Sequence, residues 1–395
     1  MKICIAQNVN ISEHLALSTY LRSISGYLAK KDNIEASLVT LKGLQTPKHL
    51  PKSIKLYEIN GNLYSITGNI RYCLGLYKKL KEINKEKSID IIHCLYPNSA
   101  LLGAVLFKRI SPTVKILYDI RSPWIDMSVA RGSVSRYIAP FYSKAAYFSE
   151  KKLSHHADGF IFITEGLKKF YEDKIKLDSK PANIIPSGID IELFRKMASK
   201  KIKGDYNLSD QNFIIGYVGG ISKTRQLDFA LRAFSHISNV KYRLMFVGEG
   251  DDKQNLEKLA RELQIQDRVI FTGSVRYEDV PHYISAFDVG LCHLPDVFVF
   301  RHSYPMKILE YLACGIPVLA SKIEAHENIS RELSNVYIYN SPESFIQQVK
   351  EISLERNVPT NLDEYRWESI CDSIVQMYEQ LLCSTQNRIN QDKKR

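Results

Sequence analysis

The chain has 395 residues, 45% of them hydrophobic, which is more than one core usually absorbs and ample for two. Its seven cysteines (Cys4, Cys73, Cys94, Cys292, Cys314, Cys371 and Cys383) stand singly, which excludes a disulfide framework or a clustered metal module and points to reduced thiols of a cytoplasmic protein. The net charge of +11 lies in one half: residues 1–190 hold 28 basic against 16 acidic side chains, and residues 191–395 hold 26 against 27. An anionic lipid surface or a phosphorylated substrate is the expected partner of that basic half; nucleic acid is set aside because no recognition motif accompanies the charge.

In chain order, residues 2–7 read as a strand, Leu17 to Leu28 as an amphipathic helix and residues 36–41 as a second strand, a βαβ opening. No apolar run reaches membrane-spanning length, the longest after the opening strand being Ala100 to Phe107, so neither a signal peptide nor a transmembrane helix is expected. Residues 52–59, 89–94, 114–119, 160–164 and 182–185 read as further strands, with helices over 66–85 and 99–110. Six or seven strands separated by helices make a doubly wound α/β domain ending near Asp190. Val134 to Leu153 breaks the pattern by interleaving Tyr137, Phe141, Tyr142, Tyr147 and Phe148 with Arg136, Lys144, Lys151 and Lys152. Two readings stay open: a helix lying in a membrane interface, which the charge asymmetry favours, and a core helix with a basic outer face. Lys196 to Asp210 reads as a linker, after which strands at 213–218, 243–247, 268–272, 289–294 and 316–320 restart the alternation. Helices follow Pro342, the last around Trp367 to Leu382, and residues 384–395 read as a disordered tail.

The stretch His302 to Ser321, HSYPMKILEYLACGIPVLAS, organises the second half. Ser303 suits an N-cap and Pro305 a first helical turn, Ile308, Leu309 and Leu312 recur at helical spacing, and Gly315 stands where a left-handed stop belongs. Between two strands of a parallel sheet, that helix starts at the carboxyl edge, where its N–H groups and dipole favour a phosphate. Glu310 then either accepts hydrogen bonds from a ribose diol beside the phosphate or is an ordinary surface carboxylate. Two other strand ends, Gly219-Gly220 and Gly248-Glu249-Gly250, are expected to aim backbone N–H groups at the same ligand. Lys223 and Arg225 follow the first of them, either as cations for a diphosphate or as solvated loop charges.

The runs IPSGIDIELF (185–194), YVGGISKTRQLD (217–228), FVGEGDD (246–252), VIFTGSVRYEDVPHYISAFDVGL (269–291) and YPMKILEYLACGIPVLAS (304–321) resemble, in order and spacing, the retaining glycosyltransferases of family 4, or glycosyl transferases group 1. In the first half, IDIIHCLYPNSALLG, YDIRSPW and HHADGFIFITEGLKKF look like segments of the same family. The resemblance implies an α/β protein of GT-B fold, two facing Rossmann-like domains with a cleft between them. Residues 1–195 would bind the acceptor, with a crossover helix near 367–383 returning to them, and residues 196–366 would bind the nucleotide-sugar. It further implies transfer from a UDP- or GDP-sugar to a glycan or lipid-linked acceptor with retained configuration, at the cytoplasmic face of a membrane or in the cytoplasm. No cofactor and no metal are expected, since no DxD motif appears and protein cations would do that work.

Position by position, Arg225 matches the family's diphosphate-binding lysine, Glu310 its ribose-binding glutamate, and Gly248 and Gly250 the turn against the nucleotide. Thr272-Gly273 through Val275 and Arg276 matches the frame of the base, and Ser303, Tyr304, Pro305, Met306 and Lys307 begin the donor-side helix. Asp119 and Arg121 occupy the cleft position where many relatives have a histidine or a related polar residue. There are three departures. Gly220 stands where an arginine is frequent, with Lys223 or Lys307 as replacements, and His302 stands where an acid ordinarily contacts the donor sugar. NVNISEH (8–14) replaces a glycine pair after the first strand, leaving His14 as an acceptor-side residue. Arg225, Asp119, Arg121 and His302 are therefore the candidates for catalysis. The competing readings are an epimerase or hydrolase on the same fold, and a non-catalytic subunit that keeps the pocket as a scaffold.

Overall fold

A computed structural model shows two compact units, one formed by Met1–Gly188 with Trp367–Arg395 and the other by Ile189–Arg366. It describes residues 1–11, 16–43, 50–61, 65–130, 137–175, 177, 179–354 and 360–392. His14 and the Val134–Arg136 start of the expected aromatic helix lie outside the described residues.

The first unit runs β1 (Lys2–Ala6), α1 (Ala16–Leu28), β2 (Glu35–Leu41), β3 (Lys55–Ile59), α2 (Ile66–Glu86), β4 (Ile91–Leu95) and α3 (Asn98–Lys108). It continues through β5 (Lys115–Ile120), α4 (Trp124–Ala130), α5 (Ala139–Ser154), β6 (Gly159–Phe162), α6 (Glu165–Glu172) and β7 (Ala182–Ile184). All seven strands are parallel, in the order β3-β2-β1-β4-β5-β6-β7, so the winding reverses between β1 and β4.

The second unit contains α7 (Lys200–Asp205), β8 (Phe213–Val218), α8 (Asp228–Ser235), β9 (Tyr242–Val247), α9 (Lys253–Glu262), β10 (Val269–Gly273), α10 (Val280–Ile284) and β11 (Val289–Cys292). After these come α11 (Phe298–Arg301), α12 (Met306–Ala313), β12 (Val318–Ser321), α13 (Glu324–Glu332), β13 (Val336–Tyr339) and α14 (Pro342–Leu354). The order β10-β9-β8-β11-β12-β13 puts its reversal between β8 and β11. Both faces of this sheet are covered, and alternate side chains separate cleanly. Ile214, Val218, Met245 and Val247 enter one core, and Ile215, Tyr217, Leu244 and Phe246 the other.

The chain then returns to the first unit as α15 (Trp367–Asp392). Ile370, Ile374, Met377 and Leu381 recur on one face and join Tyr20, Leu21 and Ile24 of α1 in one buried cluster. Each such side chain is worth about 1.5–3 kcal/mol of burial, which holds this distant segment to the unit.

Four expectations change. The chain leaves the first unit at Gly188 rather than near residue 195, because Ile189 and Phe194 are buried in the second unit and Ile189 bridges Arg366. The stretch read as a linker holds α7, since Ile202 and Leu208 supply apolar anchors among its lysines. Residues 384–392, read as disordered, continue α15, as extending a formed helix needs only one more bond per residue and neither glycine nor proline intervenes. Edge strand β13, unnoticed in the sequence, pairs with β12 through the short run VYIY. No helix among the described residues is long and apolar enough to cross a membrane.

Candidate functional site

The reversal in the second sheet opens its carboxyl edge. Pairing between β8 and β11 consists of Val289↔Ile215 and Gly290↔Gly216. Beyond it the strand ends are joined through a side chain: the Val218 N–H donates to the Tyr311 hydroxyl (2.9 Å), which donates to the Leu291 carbonyl (3.3 Å). Tyr311 is buried on α12, so one hydroxyl ties the helix to both strands flanking the opening.

Around that opening, side chains are withdrawn. Gly219 has φ +138° and Gly248 φ +146°, a region disfavoured by any Cβ. A Cβ on Gly248 would lie 2.1 Å from the Gly219 carbonyl oxygen, and one on Gly250 1.9 Å from that of Ile221, so the two turns close on each other backbone to backbone. The N–H groups of Gly219, Ile221 and Gly248 are spent in this closure, donating to Val247, Glu249 and Gly273 at 2.9, 2.9 and 3.0 Å. Of the donors expected of these turns, the N–H groups of Gly219 and Gly248 are therefore turned into the fold and not toward a ligand. Gly220 is exposed, with nothing within 4 Å of a Cβ placed there.

Cations occupy the space instead. The Lys307 Nζ lies 2.6 Å from where a Gly219 Cβ would be, in the first turn of α12 and 6.0 Å from the Tyr217 ring centre. Burial pushes the Lys307 ammonium below the usual lysine range and Arg225 pushes it further down, with Glu310 partly offsetting both. Arg225 is half-buried on a 3-10 turn, Lys223–Arg225, where Lys223 is exposed. Of the two candidates for the cation missing at Gly220, Lys307 is thus the one against the glycine turn. Glu310, one turn along α12, is half-buried, and burial raises its carboxyl above the usual range, partly offset by Lys307.

The start of α12 differs in detail from its sequence reading. Pro305, not Ser303, is the N-cap; the Ser303 hydroxyl donates instead to the Phe300 carbonyl at 2.8 Å. Two of the first N–H groups, of Met306 and Ile308, go to the Tyr304 and Pro305 carbonyls, both at 3.0 Å. Gly315 does end the helix, with φ +72°; its N–H donates to Leu312 and that of Ile316 to Tyr311. His302 caps α11 and packs edge-to-face on Phe298, ring centres 4.9 Å apart; burial lowers its pKa, leaving a neutral ring near pH 7. Gly273 accepts from Gly248 and so joins the glycine turns; Val275 packs on the core, and the exposed Arg276 pairs with Asp279 at 2.8 and 3.1 Å.

In the first unit Asp119, near the end of β5, and Arg121, just beyond it, form a buried network. Arg121 Nε donates to both Asp119 carboxylate oxygens (3.0 and 3.1 Å), and Tyr20 donates to Oδ2 at 2.8 Å. His93 lies 3.2 Å from the same oxygen and 2.7 Å from the Tyr378 hydroxyl of α15. Burial alone would raise the Asp119 carboxyl, but Arg121, His93 and Tyr20 hold it below its usual range. Asp119 is 0% exposed, closed in by these neighbours.

Residues 17–193 match the family described as Glycosyltransferase Family 4, and residues 198–368 match Glycosyl transferases group 1. The chain belongs to glycosyltransferase family 4. This glycosyltransferase is 22% identical over 336 residues to N-acetyl-alpha-D-glucosaminyl L-malate synthase of Bacillus anthracis, covering 83% of each chain. Among solved structures it resembles sucrose-phosphate synthase of Thermosynechococcus elongatus, with TM-score 0.74 and 18% identity over 97% of this chain and 99% of that one. It also resembles Anabaena HepE in complex with UDP-glucose, with TM-score 0.65 and 15% identity over 99% and 100%. The fold is of the GT-B type, with two Rossmann-like units.

Sequence reading of the glycosyltransferase missed Tyr311, which the helical spacing offered only as one more apolar-face residue. It also missed the partners of Asp119: Tyr20, His93 and Tyr378 come from α1, β4 and α15, and nothing local in the sequence links them.

Proposed function

We propose that this glycosyltransferase holds the diphosphate of a UDP- or GDP-sugar between the Gly219 turn and the cations Lys307 and Arg225, with Glu310 accepting hydrogen bonds from the ribose. The observation that carries the reading is the pairing of a side-chain-free turn with two partly buried cations at the reversal of the sheet, an arrangement that repels itself until an anion arrives. The solved complexes of HepE with UDP and with UDP-glucose support such a donor.

The sugar passes to a glycan or lipid-linked acceptor held by the basic first unit, at an anionic membrane surface. Buried polar atoms there that lack a hydrogen-bond partner, Gln7 Oε1, Asn8 Oδ1 and Arg121 Nη2, support a hydroxyl-rich acceptor. In the reaction the bond from the sugar's anomeric carbon to the phosphate oxygen breaks and a bond to the acceptor oxygen forms on the same face, retaining configuration. The departing phosphate oxygen takes the acceptor's proton. Lys307 and Arg225 stabilise the charge that develops on the leaving diphosphate, so the protein supplies what a metal would. His302, neutral and packed on Phe298, offers the donor sugar a neutral contact in place of an acid.

Calorimetric titration with UDP, GDP and ADP, with and without a chelator, tests the donor reading. Selective, chelator-insensitive binding that Glu310→Ala weakens is the expected result. A folded protein that binds none of the three would overturn it.

A further inference from the structure

In the first unit α2 packs along α3, and α3 along α5. The outward sides of these three helices carry large apolar side chains at positions where water would favour polar ones. Ile70 (54% exposed) and Leu74 (50%) stand on α2, Leu102 (36%) on α3, and Phe141 (78%) and Phe148 (62%) on α5. Phe141, Ala145, Phe148 and Lys152 fall at helical spacing, one continuous exposed stripe. The inner side of α5 is separately anchored, Tyr118 donating to the buried Glu150 at 2.8 Å and Tyr147 bonding Asp126, so packing places no demand on the outer aromatics.

Cations stand among these apolar groups. Arg71 and Lys78 are exposed on α2, and Lys144, Lys151 and Lys152 on α5, with Lys152 Nζ 5.0 Å from the Phe148 ring centre. Exposed aromatics interleaved with lysines on helices lying side by side match the boundary of a bilayer: rings sit at the acyl edge and long cationic stems reach the headgroups. A second copy is a poor occupant, because two such faces would bring like charges together at the contact.

We propose that the outer face of α2, α3 and α5 docks on an anionic lipid bilayer, holding this unit where a membrane-borne acceptor is presented. The inference deepens the proposed acceptor side and is independent of the donor site, so the two can fail separately.

Flotation of the full chain with vesicles of phosphatidylcholine, with and without 30% phosphatidylglycerol, tests it (the lipid fraction being roughly that of a moderately anionic leaflet). Binding to the anionic vesicles alone, weakened by salt, is expected. Each of Lys144→Glu and Lys152→Glu should reduce partitioning by at least about five-fold, and Phe141→Ser with Phe148→Ser by at least roughly ten-fold. Unchanged circular dichroism and unchanged UDP or GDP affinity show that the variants are folded. Equal binding to both vesicle types, no binding to either, or full binding by the folded double-serine variant overturns the proposal. So does concentration-dependent dimerisation that the double-serine variant abolishes, which would assign the face to a second copy.

Discussion

At the reversal of the second sheet, between β8 and β11, side chains are withdrawn and cations are left to face the opening. At the reversal of the first, between β1 and β4, polar side chains fill the space: Gln7 donates to the Tyr96 carbonyl at 3.0 Å, and Asn8 donates to Asn69 and Ser99 at 2.7 and 3.1 Å. The charges nearby, Asp119 and Arg121, neutralise each other. Two sheets of one topology thus reach opposite electrostatic outcomes. Winding order supplies the crevice, and the residues at the strand ends decide whether it attracts an anion or presents neutral hydrogen-bonding groups.

The largest break in this contrast should come from Asp119→Ala. It leaves Arg121 buried without its carboxylate, so the first unit should lose about 3–5 kcal/mol in denaturant unfolding. Nucleotide affinity, which belongs to the second unit, should not change; a parallel loss of affinity would show that the two edges are not independent.

A smaller effect concerns Glu150, which burial raises from 4.5 to about 8, Tyr118 partly opposing the shift. The folded chain therefore keeps a proton that the unfolded chain releases between those values. Stability from this group is complete below pH 4.5 and falls as pH rises to about 8. Thermal melting should drop by ~5 °C across that window, and Glu150→Gln should flatten the drop.

The smallest effect sharpens the second edge. Lys307→Ala should weaken nucleotide diphosphate binding by about ten- to a hundred-fold, the worth of one charge-assisted contact, with little loss of stability because a cation is removed from beside Arg225. In the wild type, affinity should fall on the alkaline side below the usual lysine range and on the acid side above the usual glutamate range, as Lys307 deprotonates and Glu310 protonates. Titration calorimetry across pH, repeated with Glu310→Gln to remove the acid limb, checks both signs.

Much of the candidate site was legible because its parts are local. Gly315 after Ile308, Leu309 and Leu312 at helical spacing, a proline at a helix start and glycines ending apolar strands each carry their conformational meaning within a few residues. Where structure and sequence differ the cause is also local: Ser303 suits a cap by type, but its hydroxyl goes to the Phe300 carbonyl of the short helix α11, which leaves little trace in composition. At Gly219 and Gly248, spacing shows where N–H groups occur, not which carbonyls reach them first.

By itself, then, the sequence determined the alternation of strands and helices, the two-domain count, the glycines at the strand ends and the concentration of positive charge in one half. These follow from periodicity, backbone conformation and composition, which act along the chain. Long-range packing alone brought Lys307 against Gly219, set Tyr311 across β8 and β11, closed Asp119 in with Tyr20, His93 and Arg121, and laid α3 between α2 and α5. Each depends on side chains far apart in sequence meeting at distances set by sheet order and packing, and no local preference encodes those distances.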